Sequence, residues 1–566
     1  MRRSAFAAGR VRARRAAQLS GPRGAAATAD RPTLMVPHRS VSATRAGDPM
    51  DPAFAGQRAS TGSADRNWLH DRLVAVPRIR RLVEDEPLAA SGVEQKLTLM
   101  FGTSITFASS PDPAAFRLPP DSPALARLAR SIELAWRRWA QDPQCRCDWE
   151  GELDFDLMVD LAGRHRQVEG ESLCLVNALP ADEAWPYQTA LQVVDPDRLR
   201  NPMGLPDGMG TSARIQDAGV DYDVPVERAI SGVGRDERGR RIAYHVLDGH
   251  PEGVGEFGRS MRGNWYPRWD PLIPGRSRVL HVYRQKRAGQ TRGISPFVSV
   301  MSRLQSLSDL NEAELRSRVL NALVFANVTS SMDAEYIREM FAEGGADELL
   351  DTREAFYKEA GIRVGGTRVI QTFPGDELKI NQAQRDTNAF ADTITAVAMQ
   401  SGAGLGLTSE LLTRDFSRTT FSSARTSQND ATRSLSRERA LDEKKLAAPL
   451  LFCVLQEAFE RGELDLPPGA PHILDEPGAY LAGKWLGSRK DYVDPVKEAM
   501  GDRLRLENGV IAPSDLAAEH GQDFERLIAR IKRDKAKLEQ AGITLGDLQA
   551  MAAINAAHGS SDGPAN

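Results

Sequence analysis

Asp415-Phe-Ser-Arg-Thr-Thr-Phe-Ser-Ser-Ala-Arg425 is a polar stretch, rich in hydroxyl side chains, set between two segments of strongly helical composition. Before it, residues 389–401 read as a helix that stops at the cluster Gly402, Gly404 and Gly406. After it, residues 424–461 are rich in Arg, Glu, Ala and Leu and read as helix again. Pro374-Gly-Asp-Glu377 lies upstream and Asp494-Pro-Val-Lys-Glu498 downstream.

Further ordered motifs extend outward from this stretch. Trp136-Arg-Arg-Trp139 is followed by Asp154-Phe155 and by Gly170-Glu-Ser172. Leu191-Gln-Val-Val-Asp-Pro-Asp-Arg-Leu199 reads as a strand and turn, and residues 232–245 as a hairpin ending in Ala-Tyr-His. His281-Val-Tyr283 precedes Gly289-Gln-Thr-Arg-Gly293. The order and content of these runs, over about residues 66–545, resemble the lambda-type bacteriophage portal family. The chain departs from the family pattern at Thr420-Phe421, where Asn-Tyr is usual, and at Ser488-Arg489, where Pro-Gly is usual.

The resemblance implies an α+β portal fold: a mixed α/β wing, a helical stem, a small β-containing clip and a helical C-terminal crown, assembled as a ring. On that basis residues 66–200 are expected to form the first part of the wing, and 201–320 the clip and stem. Residues 321–475 would complete the wing, 476–545 form the crown and 546–566 a disordered tail. The implied function is that of a dodecameric DNA channel at one capsid vertex, serving assembly initiation, genome packaging and ejection. The implied partners are further copies of the chain, double-stranded DNA, the terminase large subunit, major capsid and scaffold proteins, and head-completion or adaptor proteins. The implied location is the virion, with the host cytoplasm during assembly.

By the same analogy the channel loop falls at about residues 404–425, with Arg414, Asp415, Ser417, Arg418, Thr419, Thr420, Ser422, Ser423 and Arg425 as its candidate DNA-facing residues. The residue types suit that task. Hydroxyls contact phosphate weakly and reversibly, the arginines touch it transiently, and Asp415 tempers the field.

Composition limits the alternatives. A chain of 566 residues is too long for one core and calls for two to four structural units. Its 41% hydrophobic and 27% charged residues are those of a globular protein, with no apolar run of membrane-span length. A formal net charge of −4 argues against tight clamping of nucleic acid. Four cysteines are too few for a disulfide scaffold and read as ordinary thiols. Residues 1–65, with Arg2, Arg3, Arg10, Arg12, Arg14, Arg15 and Arg23 among small residues, read as a flexible basic arm.

The rival reading is a DNA-processing enzyme, a nuclease or ATPase of a mobile element, and it lacks a complete motif. Gly478-Ala-Tyr-Leu-Ala-Gly-Lys484 has Trp485 where a phosphate loop needs the hydroxyl that holds magnesium. Gly559-Ser-Ser-Asp-Gly563 sits in the terminal tail, without the helix a nucleophile elbow requires. His245 and His250 have the wrong spacing for one zinc-binding helix face. The reading is therefore of a non-enzyme without cofactor, metal or catalytic residues.

Periodicity sets the elements. Leu69, Leu73, Val76, Ile79, Leu82 and Val83 make one helical stripe, with Pro77 and Pro87 expected to break or kink it. Leu125, Leu128, Ile132, Ala135 and Trp136 make another, with the tryptophans as core anchors. Residues 170–285 change to period two and are expected to be mostly β. A long helix is expected beyond Ser295-Pro296, and two more near 494–507 and 513–540.

Overall fold

The computed structural model describes residues 61–180, 185–217, 220–254, 262–322, 326–330, 351–352, 354–356, 376–380, 387–417, 419–487 and 495–540. Residues 1–60 of the expected basic arm, the C-terminal tail and Pro374-Gly375 lie outside the described residues, while the arm's last residues, Ser63 to Asp65, open the first helix.

Four helices open the fold. They are α1 (Ala64–Asp85), α2 (Pro87–Phe101), α3 (Pro123–Ala140) and α4 (Phe155–Val168), with strand β1 (Thr106–Ser109) between α2 and α3. Ser63, Ser122 and Asp154 cap α1, α3 and α4 through their side-chain oxygens. Pro77 lies inside α1 without ending it, and Pro87 takes the first position of α2. The buried face of α1 is Trp68, Arg72, Val76, Ile79 and Leu82, and Leu73 is exposed. The expected stripe is thus rotated, because Arg72 turns inward to meet carboxylates. Trp136 and Trp139 are buried, and the Trp139 indole donates to the Thr189 carbonyl at 2.8 Å.

Residues 171–283 are strand-rich, as the period-two pattern indicates. Strands β2 (Glu171–Ala178) and β3 (Thr189–Val194) pair antiparallel. A hairpin of β4 (Thr211–Asp217) and β5 (Val220–Val226) follows, then a meander of β6 (Arg228–Ile230), β7 (Val233–Arg235), β8 (Arg241–Leu247) and β9 (Gly263–Pro267). Strand β10 (Val279–Tyr283) returns to pair with β2, giving the order β10-β2-β3. Leu173, Leu175, Val194 and Val279 pack against Leu199, Val233, Tyr244 and Val246, which joins the two sheets.

Within the span expected to hold clip and stem, 201–320, the strands β4–β9 pack on one another and through β7 and β8 on β2 and β3. The helix expected beyond Ser295-Pro296 is α5 (Met301–Ala322), with α6 (Thr387–Leu405) beside it. At the inner end Leu304, Leu307, Ala398 and Ser401 are buried, and Gly404 passes so close to Val300 that a Cβ would collide with it. At the outer end Arg318 lies over the Phe390 ring, so the two helices run antiparallel. Between them, β11 (Ala326–Ser330) pairs antiparallel with β12 (Asp376–Ile380). Leu315 is 64% exposed and Val319 55%, so the apolar face expected beyond Ser295-Pro296 is covered only at its root.

The second helical layer begins with α7 (Ser409–Thr413) and α8 (Phe421–Asp442). A single π-helical turn, Glu443–Ala447, carries α8 into α9 (Ala448–Glu460), whose face from Leu450 to Leu455 is buried. Helix α10 (Pro477–Leu481) and strand β13 (Gly483–Leu486) then close onto the N-terminal part, β13 pairing antiparallel with β1. Trp485 meets Phe107 at a tilt and Trp136 edge to face, and Tyr480 is fully buried. Within 477–486, Ala479, Tyr480 and Leu486 are buried in the body's core, so this part of the expected crown 476–545 packs with the N-terminal helices.

Three helices remain, α11 (Pro495–Glu507), α12 (Pro513–Glu519) and α13 (Phe524–Gln540). Gly509, at a φ of +64°, ends α11, with the Val510 amide donating to the Arg505 carbonyl. Of the apolar residues on these helices, Leu506, Leu516, Phe524, Leu527, Ile528 and Leu538 are half-buried, Met500, Leu504, Val510 and Ile531 are exposed, and α13 buries no residue fully. Among the described residues, no helix is long and apolar enough to cross a membrane.

Candidate nucleic-acid interface

The stretch that opens the sequence reading joins α6 to α8, and its ends are more ordered than a loop of 404–425. Gly406 takes a φ of +77°, and the Leu407 amide donates to the Gly402 carbonyl at 2.9 Å. Gly406 is thus a helix terminator of the left-handed kind, whereas Gly402 and Gly404 lie inside α6, which runs past the expected stop at residue 401. Leu405, Leu407 and Leu412 are buried, and the Ser91 hydroxyl of α2 holds the Leu412 carbonyl at 2.8 Å. Only beyond α7 does the chain come free of the body.

Arg414 sits in the left-handed region at a φ of +57°, and Arg414, Asp415, Phe416 and Ser417 are exposed. The Asp415 carboxylate accepts from the Ser417 amide at 2.9 Å, a local turn that fixes the tip. Arg418 lies outside the described residues, and Thr419 is partly covered. Thr420 and Ser423 form a reciprocal capping box on α8, the Ser423 amide donating to Thr420 Oγ1 and the Thr420 amide to Ser423 Oγ. Ser422 and Arg425 are on the helix, and Arg425 leans toward Glu498 of α11 at 3.9 Å. The candidate set is therefore divided: Arg414, Asp415 and Ser417 are exposed linker, whereas Thr420 caps α8 and Ser422, Ser423 and Arg425 lie in its first turns.

Buried charges fix the root of α8. Arg166 of α4 donates to both Asp442 oxygens at 2.9 and 2.7 Å, and to Glu438 at 3.2 Å. Lys96 of α2, fully buried, reaches Glu438 at 3.2 Å. Burial pulls the Lys96 ammonium down and pushes the Asp442 carboxyl up to about 6, against the pull of Arg166. Burial alone would raise Glu438 too, but Lys96 and Arg166 hold it down to about 2. Sequence reading missed this network. Its signal was Lys96, a charge between Val93 and Leu97 on the apolar face of α2.

A second buried centre explains two of the motifs. Glu171 of Gly170-Glu-Ser172 accepts from Arg292 Nε at 2.7 Å, and its other oxygen accepts from the Gly293 amide at 2.6 Å. Arg72 stands 3.1 Å from it and His281 Nε2 3.0 Å. Gly170 and Gly293 pass backbone to backbone, with no room for a Cβ on either. The charged residues of these motifs are thus joined inside the body and do not form an open site.

The remaining motifs resolve as follows. Residues 478–484 run from helix α10 into strand β13, the reverse of a phosphate loop's order. His245 Nδ1 bonds the Arg200 carbonyl, whereas His250 stands near Asp195 and Asp197. Those three groups come within reach of one another, and the Arg80 guanidinium already bonds both carboxylates.

A family model for "Phage portal protein, lambda family" matches residues 51–439. The chain belongs to that family. It is 27% identical over 427 residues to the portal protein of Escherichia phage N15, covering 74% of this chain and 75% of that one. It is 26% identical over 425 residues to portal protein B of Escherichia phage lambda, with the same shares covered. Among solved structures, the chain is similar to one in the virion of a native gene transfer agent particle, at a TM-score of 0.37 and 13% identity. That likeness covers 80% of this chain and 99% of the other. A chain in the neck of an empty gene transfer agent particle gives 0.39 and 14%, covering 83% and 97%. The family match ends at Arg439, so the C-terminal helices lie beyond it.

Proposed function

We propose that this portal-family chain assembles into a homododecameric ring that forms the DNA channel at one capsid vertex. The family membership supplies the class, and the observation that carries the ring is the uncovered apolar surface. Leu315 and Val319 on α5, with Met500 and Leu504 on α11, are exposed in one chain and would be buried by neighbouring copies. In this reading α5 and α6 are the stem, and the β11–β12 pair belongs to the clip. The two sheets with α1–α4 and α8–α10 make the wing, and α11–α13 the crown. In this reading the stem begins within the expected clip-and-stem span 201–320, at α5, and the clip is the part of the chain between α5 and α6 that holds the β11–β12 pair.

The exposed linker 414–419, anchored on one side by α7 and on the other by the charge-locked α8, is our channel loop. Its hydroxyls and arginines touch phosphate without a buried frame that would hold it, which suits duplex that must slide. The ring would start head assembly with scaffold and major capsid proteins, dock the terminase large subunit at the clip, and later bind head-completion or adaptor proteins. It would remain at the virion's portal vertex for genome ejection, having assembled in the host cytoplasm.

Deleting residues 414–419 and joining the ends with two glycines tests the loop. Rings of the variant should form but fail to package or retain DNA, measured as nuclease-resistant genome per particle. Packaging at the unaltered level would remove the assignment.

A further inference from the structure

Helix α13 carries Arg526, Arg530 and Arg533 at steps of four and three residues, which places them on one face. That face borders a cleft of about 760 Å³, across from Thr103, Ser104 and Thr106 at the start of β1. The charge there is lopsided. Asp523 is the only carboxylate among the described residues lining the cleft, and it is occupied in accepting from the Arg526 amide at 2.8 Å. Arg526 is paired with Glu133 at 3.0 Å, but Arg530, among the described residues, bonds only the Gln522 amide oxygen at 3.3 Å. Arg533 has its own chain neighbour Asp534 at 3.8 Å. Next to them, on α3, Arg137 is exposed and makes no ion pair among the described residues.

We propose that this cleft binds the phosphate backbone of duplex DNA through the guanidinium stripe of α13. The arrangement favours a polyanion over a small anion. The three guanidiniums do not converge on one point; they are strung along about 10 Å of helix, at 1.5 Å per residue. A chain of phosphates matches such a string, whereas one phosphate would engage a single arginine. Exposed guanidiniums paired with hydroxyls contact phosphate oxygens without reading bases, so the binding is independent of sequence. The inference rests on the portal reading only for where the DNA comes from, since it places α13 in the crown.

The test uses the full chain and a blunt 30-base-pair duplex, followed by fluorescence anisotropy between about 50 and 200 mM salt. The double substitution Arg530→Gln with Arg533→Gln is compared with Lys532→Gln with Lys535→Gln, which removes equal charge from the opposite face of the same helix. None of these side chains is buried, so neither variant disturbs the core. The stripe variant should lower the magnitude of the log–log salt slope by about 1.8, at about 0.9 per lost phosphate contact, and weaken binding at least tenfold at low salt. The control should stay within twofold of the parent. Equal behaviour of the two variants overturns the proposal, as does displacement of DNA by polyglutamate at matched charge, which would make the cleft a site for an acidic protein. Electron microscopy of the same samples separates the two readings. A parent chain that forms no rings counts against the portal assignment, while the slope comparison still decides the cleft.

Discussion

Replacing Glu171 by Gln keeps the side chain's volume and removes one buried charge. Glu171 is fully buried, and its two oxygens together meet Arg292, Arg72, His281 and the Gly293 amide within 2.5–3.1 Å. The Gly293 amide lies at one oxygen and the two guanidiniums at the other, so the new amide nitrogen faces at least one obligate N–H donor whichever way it is turned. Two guanidiniums, Arg292 at 1% exposure and Arg72 at 5%, then lose their shared counter-charge. Breaking a buried pair by removing one partner costs about 3–5 kcal/mol. Asp197, 3.2 Å from Arg72, remains as a partial substitute, which favours the lower end. With a urea m-value of about 3 kcal/mol/M, the midpoint should fall by roughly 1 M or more. The assay is urea unfolding followed by tryptophan fluorescence at neutral pH. Its control is Arg214→Gln, which breaks a pair with Asp221 that is exposed on both sides and should move the midpoint very little. A Glu171→Gln shift no larger than the control's would refute the claim that this centre holds helix α1 and the Gly289–Gly293 turn to the sheet.

The acid limb of stability should carry the mark of Glu438. Its folded value of about 2 lies below the ordinary 4.5, so its contribution is present above 4.5 and lost as pH falls toward 2; Glu438→Gln should flatten that limb in pH-dependent urea melts. Leu315→Glu with Val319→Glu should abolish rings in electron microscopy while leaving the thermal midpoint of the separated chain unchanged, because both side chains are exposed before assembly. A chain ending at Gly487 should stay folded, whereas one ending at Glu476 should be insoluble or protease-sensitive. The shorter one loses the fully buried Tyr480, a deletion of about 3–5 kcal/mol, and the half-buried Trp485 that packs against the core.

Local structure was legible where one chemical rule decided it. The period-two pattern from Leu173 onward, the stripe on α3 and the prolines opening α11 and α12 appear in the structure as read, whereas Pro87 opens α2 and the helix expected over 513–540 is divided into α12 and α13. Elsewhere a residue type had two physical uses. Hydroxyls at Thr420 and Ser423 looked like loop residues because a capping box and an exposed loop draw on the same side chains. The leucines at 405, 407 and 412 were the contrary signal, since an exposed loop does not bury apolar residues at such close intervals. Pro and Gly between 201 and 275 mark tight turns, and tight turns serve a packed meander as well as a protrusion. Helical periodicity in α5 and α11 marks an apolar face without saying whether the same chain or another copy covers it. The buried centres at Glu171 and Glu438 unite residues more than a hundred positions apart, which no local pattern encodes.

The central claim is a ring whose lumen is lined by the linker between α7 and α8. Cryo-electron microscopy of the purified full chain tests it most directly. The account predicts closed twelvefold rings with an axial hole, residues 414–419 facing that hole and α5 packed against the neighbouring copy's α5 or α6. Monomers at every concentration, or rings with residues 414–419 on the outer wall, would contradict it.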